Sequence, residues 1–386
     1  MTFNTITFDI MTGNTTTLAT MAIKVLQHQI SQYGYTPRVH FELEGGHRRS
    51  DLSKDIDYPA INLALKQLGI LGELKPEYWQ NQWEYVSDFA GQTPLKEAND
   101  FAAASRVLPS LLKRHGAAEV FIRPILWGGD EGRLQPGCGN IFSLDKRPVH
   151  IPNAVQINIS ADKNNLNMIP RDGFGEILQQ RLLDTSYECC LLYLPEQEAF
   201  ERLKLKDDFD LDAELSSPHE LSGGHQGSIA LYKEVGKHNQ PMGVNPLVLN
   251  HQHQVIASTV DWQSLSRIEH RLGASSERYN PFVNVAFSLA NLLEAIVQFE
   301  AQSKTPQPLQ LAPERELPQL LFSSGDKIGA FEIFESGSWF PQSINQCLSA
   351  AKKAASLYQT IPDNLGDLLK QSIIDSYQRK FVLEMS

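Results

Sequence analysis

The chain has 386 residues, 41% of them hydrophobic and 20% charged, which is the balance of a folded globular protein and excludes a disordered or fibrous one. A formal net charge of −11 and a pI near 5.5 give no electrostatic footprint for nucleic acid, so an anionic ligand would need a local cationic pocket or metal ions. No apolar run reaches the roughly 18 residues needed to span a membrane. The first positive side chain is Lys24, so the basic start of a signal peptide is missing and a cytoplasmic location is expected. Of the four cysteines, Cys189 and Cys190 are adjacent in an apolar run and none makes a CxxC pair, which reads as buried thiols.

In chain order, a short apolar strand "ITFDIM" is followed by "GNTTT", whose Asn or Thr can cap the helix "LATMAIKVLQHQISQYG". Gly34 ends that helix, and "YTPRVHFELE" is predicted as a strand. "PAINLALKQLGI" is an amphipathic helix and "YWQNQWEYVSDF" an aromatic, alternating strand. "LKEANDFAAASRVLPSLLKRHG" is a third helix, with basic residues where its dipole favours them. "AEVFIRPILW" is a strand, "GGDEGRLQPGCGN" a Gly-rich loop, and "NAVQINISA" another alternating strand. "FGEILQQRLLDTSYECCLLYL" reads as one helix, residues 204–226 as a polar acidic loop, "SLSRIEHRLG" as a strand and "NPFVNVAFSLANLLEAIVQFEAQ" as a long apolar helix. A Pro-rich connector at 304–319 leads to C-terminal helices, and 1–386 is taken as a single domain.

Four of these strands carry polar residues at i and i+2, which alternation places on one face: Glu42 with Glu44, Gln82 with Glu84, Gln156 with Asn158, and Glu269 with Arg271. Each is flanked by a helix that needs a surface to cover. The pattern predicts an α+β fold, with a curved, mainly antiparallel sheet covered by helices on one face and polar on the other. Strands alternating with helices are also compatible with a parallel sheet, but no GxGxxG or GxxxxGK[ST] follows any of them. Glu77, seven residues before Glu84, can enter the polar face from a turn. Two glutamates a few ångströms apart repel by roughly 4 kcal/mol at an effective dielectric of 20. Such a cluster is either solvated surface charge or a site for hard divalent ions such as Mg2+ or Mn2+, which take oxygen ligands and share them with nucleotide phosphates.

In order along the chain, "GYTPRVHFELE", "LGILGELKPEYWQNQWEY", "LYLPEQEAFERL" and "RIEHRLGASSERYNPFVNVAFSLANLLEAI" resemble segments of the glutamine synthetase catalytic domain. The Glu-x-Glu pair, the Glu77 to Glu84 spacing and the Arg-x-Glu-x-Arg strand carry the resemblance. It implies the glutamine synthetase and guanidino kinase type of catalytic domain, with ATP and two Mg2+ or Mn2+ ions as cofactors. Carried over by motif, Glu44, Glu77 and Glu84 would hold one ion, and Glu42 and Glu269 the other. Arg271 would hold a substrate carboxylate or the transferring phosphoryl group. Gln156-Ile157-Asn158-Ile159-Ser160 stands where the family has His-x-His-x-Ser, so Gln156 would coordinate through its amide oxygen, with Asn158 and Ser160 toward the nucleotide. Arg123 stands where a lysine before proline is usual. Asp208 holds the position of the loop glutamate that closes over substrate, and "GGHQGSIAL" replaces a segment that carries a phosphate-binding arginine. The resemblance leaves about 20 residues before the first helix, where family members carry a β-grasp domain of roughly 100 residues. A divergent member lacking that domain is the expectation.

The function implied is an ATP-dependent carboxylate–amine ligase forming a γ-glutamyl amide or related amide through an acyl phosphate. Its partners would be a small acid (glutamate or an analogue) and an amine, with no nucleic acid, no membrane and a possible homo-oligomer. A homologue that binds metal, nucleotide or a partner protein without turnover is the alternative, and a guanidino phosphotransferase of the same superfold is a third reading. Other features have both bland and functional readings. His251 and His253 could be ligands but have no evident third, "SGGHQGS" could cradle phosphate, Trp79 and Trp83 suit packing, and His47-Arg48-Arg49 suits solvated charge.

Overall fold

The computed structural model describes residues 14–49, 51, 54–77, 81–88, 90–127, 150–207, 228–233, 247–249, 255–257, 265–302, 315–355 and 358–384. The elements run α1 (Thr15–Gln32), β1 (Tyr35–Arg49), α2 (Tyr58–Gln67), β2 (Gly72–Pro76), β3 (Gln82–Ser87), α3 (Pro94–Arg114), β4 (Ala117–Phe121), β5 (Ile125–Trp127), β6 (His150–Pro152), β7 (Val155–Lys163) and β8 (Leu166–Asn167). They continue with α4 (Phe174–Ser186), α5 (Cys190–Tyr193), α6 (Gln197–Asp207), β9 (Ile229–Tyr232), β10 (Leu247–Leu249), β11 (Val255–Ala257), β12 (Arg267–His270), α7 (Pro281–Gln302), α8 (Ala330–Ser336), α9 (Trp339–Ala354) and α10 (Leu365–Glu384).

One mainly antiparallel sheet runs in the order β2-β3-β1-β7-β12-β9, with β4 added to the far end of β1 and β8 to β7. β1 is its spine, and pairs with β7 over Tyr35 to Leu43, with β3 over Glu42 to Gly46 and with β4 from Gly46 onward. Gly45 and Gly46 make this exchange of partners possible. A Cβ on Gly45 would stand 2.7 Å from the Phe121 carbonyl oxygen and overlap the Trp83 ring, and one on Gly46 would overlap Leu126.

The apolar face of the sheet presents Val39, Phe41 and Leu43 of β1 beside Tyr85, Ile157, Ile159 and Ile268, all buried. Helices close over it because their own apolar stripes need that surface. α1 is started by the Asn14 side chain, which accepts from the Thr16 N–H at 3.0 Å, and it buries Leu18, Ala22, Ile23, Leu26 and Ile30. It packs on α7, α9 and α10, and one hydrophobic core extends from Leu18 to Ile374. α7 lies at the centre of that core, against α1, α3 and α4. By length and composition its stretch Pro281–Ala301 could cross a membrane, which the sequence did not lead one to expect, but 72% of it is buried inside the protein. It is a core helix.

Several elements differ from expectation, and the one strand expected at "AEVFIRPILW" is two, β4 on the main sheet and β5 paired with β6. The strand placed at "YWQNQWEYVSDF" is β3, and it pairs in a hairpin with β2, which escaped notice because only Leu74 of its five residues is buried. β1 runs on to Arg49, past its expected end at Glu44. The helix expected over 174–194 breaks after Ser186 and resumes as the short α5. Most of the Gly-rich loop after Trp127, most of the 204–226 segment and most of the Pro-rich connector lie outside the described residues.

Candidate active site

The polar face is assembled by register. Antiparallel pairing sets Lys75 of β2 opposite Glu84 of β3, and Glu84 opposite Glu44 of β1. It also sets Glu42 opposite Gln156, His40 opposite Asn158, and Asn158 opposite Glu269 of β12. Directly opposed residues share a face, so Glu42, Glu44, Glu84, Gln156, Asn158 and Glu269 stand together as the sequence predicts. The group is buried: Glu42, Glu84, Gln156 and Asn158 are at most 5% exposed, and Glu269 is fully enclosed. Glu44 and Glu77 are half-buried, and the Glu77 N–H donates to the Gln82 carbonyl at 3.1 Å.

Buried carboxylates need donors, and the protein supplies them. Lys75 Nζ lies 2.8 Å from Glu84 Oε2. Arg271 Nε and Arg267 Nη2 lie 3.4 and 3.5 Å from the two oxygens of Glu269. The surroundings of Gln156 orient its NH2 toward the acids, so it donates to Glu269 Oε1 at 2.6 Å and to Glu42 Oε2 at 3.3 Å. Asn158 donates to Glu42 Oε1 at 3.2 Å and accepts from Arg267 Nε at 2.7 Å. Glu44 Oε2 accepts the Ala154 backbone N–H at 2.8 Å, just before β7 starts. His40 Nε2 stands 3.8 Å from Glu42 Oε1.

Two guanidinium groups, Arg271 just after β12 and Arg202 of α6, feel one another's charge at this end of the face. Burial lowers Arg271 to about 10, against the pull of Glu42 and Glu44 and with the repulsion of Arg202. Arg202 of α6 is lowered to about 10 by burial, is held up by Glu44, and donates to the Leu272 carbonyl at 3.4 Å. Both stay cationic at neutral pH. For Lys75, burial works against the charged form, but the hydrogen bond to Glu84 and the charges of Glu84, Glu77 and Glu42 outweigh it and raise its pKa.

The oxygen-rich donor set has the chemistry that Mg2+ and Mn2+ take. As placed, however, these side chains do not form a two-ion ligand set. Among the described residues no three His, Cys, Asp or Glu side chains stand together as one ion's ligands. Glu42, Glu44 and Glu84 already have a nitrogen donor on a carboxylate oxygen, and the Glu269 carboxylate is ion-paired with Arg267 and Arg271. The physical reason is charge balance: Lys75, Arg267 and Arg271 supply the cations that the carboxylates require.

Of the residues expected to meet nucleotide, Asn158 is at the centre of the face. Ser160 is half-buried and lines, with Arg38, His40 and Arg267, a recess of about 10 Å3, room for about one water. Arg123 is engaged elsewhere, with Nη2 and Nε at 2.9 and 3.3 Å from the Glu198 carboxylate of α6. Asp208, His251, His253, Trp79 and most of "SGGHQGS" lie outside the described residues.

Sequence reasoning missed Lys75, Arg202, Arg267 and Glu97. The first falls in the alternation Glu73-x-Lys75-x-Glu77, visible only once β2 is recognised, and Arg267 sits two residues before Glu269 on the same strand. Arg202 lies on a helix and carries no signal of its own. Glu97, in the first turn of α3, lies under the same part of β1. It accepts from the Phe41 N–H at 3.0 Å, from Gln92 Nε2 at 2.7 Å and from Ser87 Oγ. Burial pushes its pKa up to about 7 against these three bonds, and Asp100 adds to the rise.

A curved, mainly antiparallel sheet with a buried polar face and helices on its other side is the architecture of glutamine synthetase-type catalytic domains, and this chain has that fold. A solved structure described as a novel glutamine synthase homolog superposes with a TM-score of 0.55 at 15% identity, over 94% of this chain and 71% of the other. GmaS without ligand gives 0.53 at 14% identity, over 93% and 74% of the two chains. GmaS in complex with ADP gives 0.54 at 15% identity, over 88% and 73%. At these identities the likeness is one of fold. No family model matches the sequence, and no curated protein matches it.

Proposed function

We propose that this chain, a divergent member of the glutamine synthetase family, is an ATP-dependent ligase that joins a small carboxylic acid, glutamate or an analogue, to an amine. The observation that carries the reading is the convergence of Arg202, Arg267 and Arg271 with the glutamates on the buried polar face of this fold. In the reaction a substrate carboxylate oxygen attacks the γ-phosphorus of ATP and ADP departs. The amine then attacks the acyl phosphate carbon, phosphate leaves, and the amine gives up a proton. Phosphoryl transfer needs positioning and cationic stabilisation above all. Arg202 and Arg271 can hold anionic groups of substrate at the β12 end, and Arg267 can reach the phosphoryl oxygens from the same strand. The ADP in the GmaS complex supports a nucleotide as the second ligand. Asp208 remains the proposed acid that closes over substrate.

The test is purified full-length chain with ATP, with and without Mg2+ or Mn2+, across a panel of small acids and amines. Acid-dependent ADP and phosphate release is expected. None across a broad panel sinks the ligase.

The second reading, a homologue that binds nucleotide without turnover, is favoured by a specific observation: Lys75 and Gln156 occupy carboxylate oxygens that the family resemblance assigns to ions. Calorimetric ATP binding without hydrolysis would select it.

A further inference from the structure

The Lys75 ammonium is the feature of this face that the family resemblance does not account for. It lies 2.8 Å from Glu84 Oε2, and the antiparallel register of β2 on β3 puts it there without any turn or loop having to adjust. Glu84 itself is buried and cross-strand to Glu44. Glu42 and Glu77 both lie within the electrostatic reach of Lys75. One ammonium thus stands among three carboxylates, Glu84, Glu77 and Glu42, and at the other end of the face the charge of Glu269 is balanced by Arg267 and Arg271.

We propose that Lys75 is a resident counter-cation: it supplies covalently, at the Glu84 end of the face, the positive charge that a divalent ion would otherwise bring, and it excludes such an ion from Glu84. A second cation there would have to displace the ammonium from Glu84 or sit beside it under Coulomb repulsion. The proposal takes the polar face as the binding face. It concerns cation occupancy alone, so loss of the ligase reading leaves it standing.

The experiment measures Mn2+ binding to the full chain without nucleotide, by electron paramagnetic resonance of the free ion, beside thermal melts in EDTA and in excess Mn2+. Wild type is expected to melt identically in both conditions. Lys75→Met and Lys75→Gln should bind Mn2+ at least about tenfold more tightly than wild type, the scale that removing one nearby half-screened charge implies. Lys75→Gln keeps a hydrogen-bond donor for Glu84 and loses the charge, so its gain assigns the exclusion to charge. Lys75→Arg should match wild type, and Glu84→Gln placed on Lys75→Met should abolish the gain. Lys54→Met, at an exposed lysine beside Asp51, controls for net charge and should gain nothing. Equal Mn2+ affinity in wild type and Lys75→Met overturns the proposal, as does a gain of the same size in Lys54→Met. If the Lys75 variants fail to fold, the wild-type melts still decide: a Mn2+-dependent rise of several degrees overturns it.

Discussion

Glu97 shows how a residue remote from the chemistry can govern the site's surroundings. Its carboxyl bridges the Phe41 N–H of β1, Gln92 and Ser87, one residue before Glu42. Its folded pKa, about 7 against an ordinary 4.5, is raised by burial, so the folded state keeps a proton that the unfolded chain has released between those values. Stability from this group is therefore fully present below pH 4.5, falls as pH rises, and is lost above 7, by about 3 kcal/mol in all. Glu97→Gln removes the titration. From pH 5 to pH 8 the variant should gain about 2 kcal/mol relative to wild type, read by urea unfolding at the two pH values. Parallel pH dependences would rule out this role for Glu97. On the polar face, Glu42, Glu44 and Glu84 each have a nearby nitrogen donor on a carboxylate oxygen.

Among the elements, β1 carries the most consequence. It pairs with three strands, and its two glycines lie where Trp83, Leu126 and the Phe121 carbonyl close in. Gly46→Val should cost about 1–3 kcal/mol through overpacking, with Arg48 and Arg49 beyond it losing their register on β4. Chemical denaturation measures the first and loss of amide protection in β4 the second. An unchanged stability would mean that Leu126 can move aside. β2 is the second informative element: a strand that is mostly exposed and at the sheet edge, yet it carries Lys75 to Glu84. Its weak alternation hid it, and with it the lysine that balances the most edge-ward of the carboxylates.

For the whole molecule, a ligand that binds the folded chain alone stabilises it by mass action, by about 2.7 kcal/mol at a concentration one hundred times its dissociation constant. ATP or ADP should therefore raise the melting temperature of the full chain, and Arg271→Met should remove most of that rise. An ATP titration with no shift in wild type would count against nucleotide as a ligand of this fold.

Much of this was legible in the chain alone. Val39, Phe41 and Leu43 alternate with Glu42 and Glu44, and the same period in "QINIS" and "RIEHR" marks two faces before any coordinate is known, because side-chain direction along a strand is a local property. The helices α1, α3 and α7 were readable from equally local signals: a cap before α1, basic residues ending α3 and the long apolar run of α7. Partnership was not local. Which strand lies beside which, that Gln156 faces Glu42 and that Lys75 faces Glu84 depend on register between segments tens of residues apart. So does Arg202, brought to Glu44 by helix packing. The sequence determined that one face of the sheet would carry glutamates, and left open whether that face was solvated. Only the tertiary structure decided that the chain's own cations and amides would balance them, since charge compensation is set by distances in space and not by spacing along the chain.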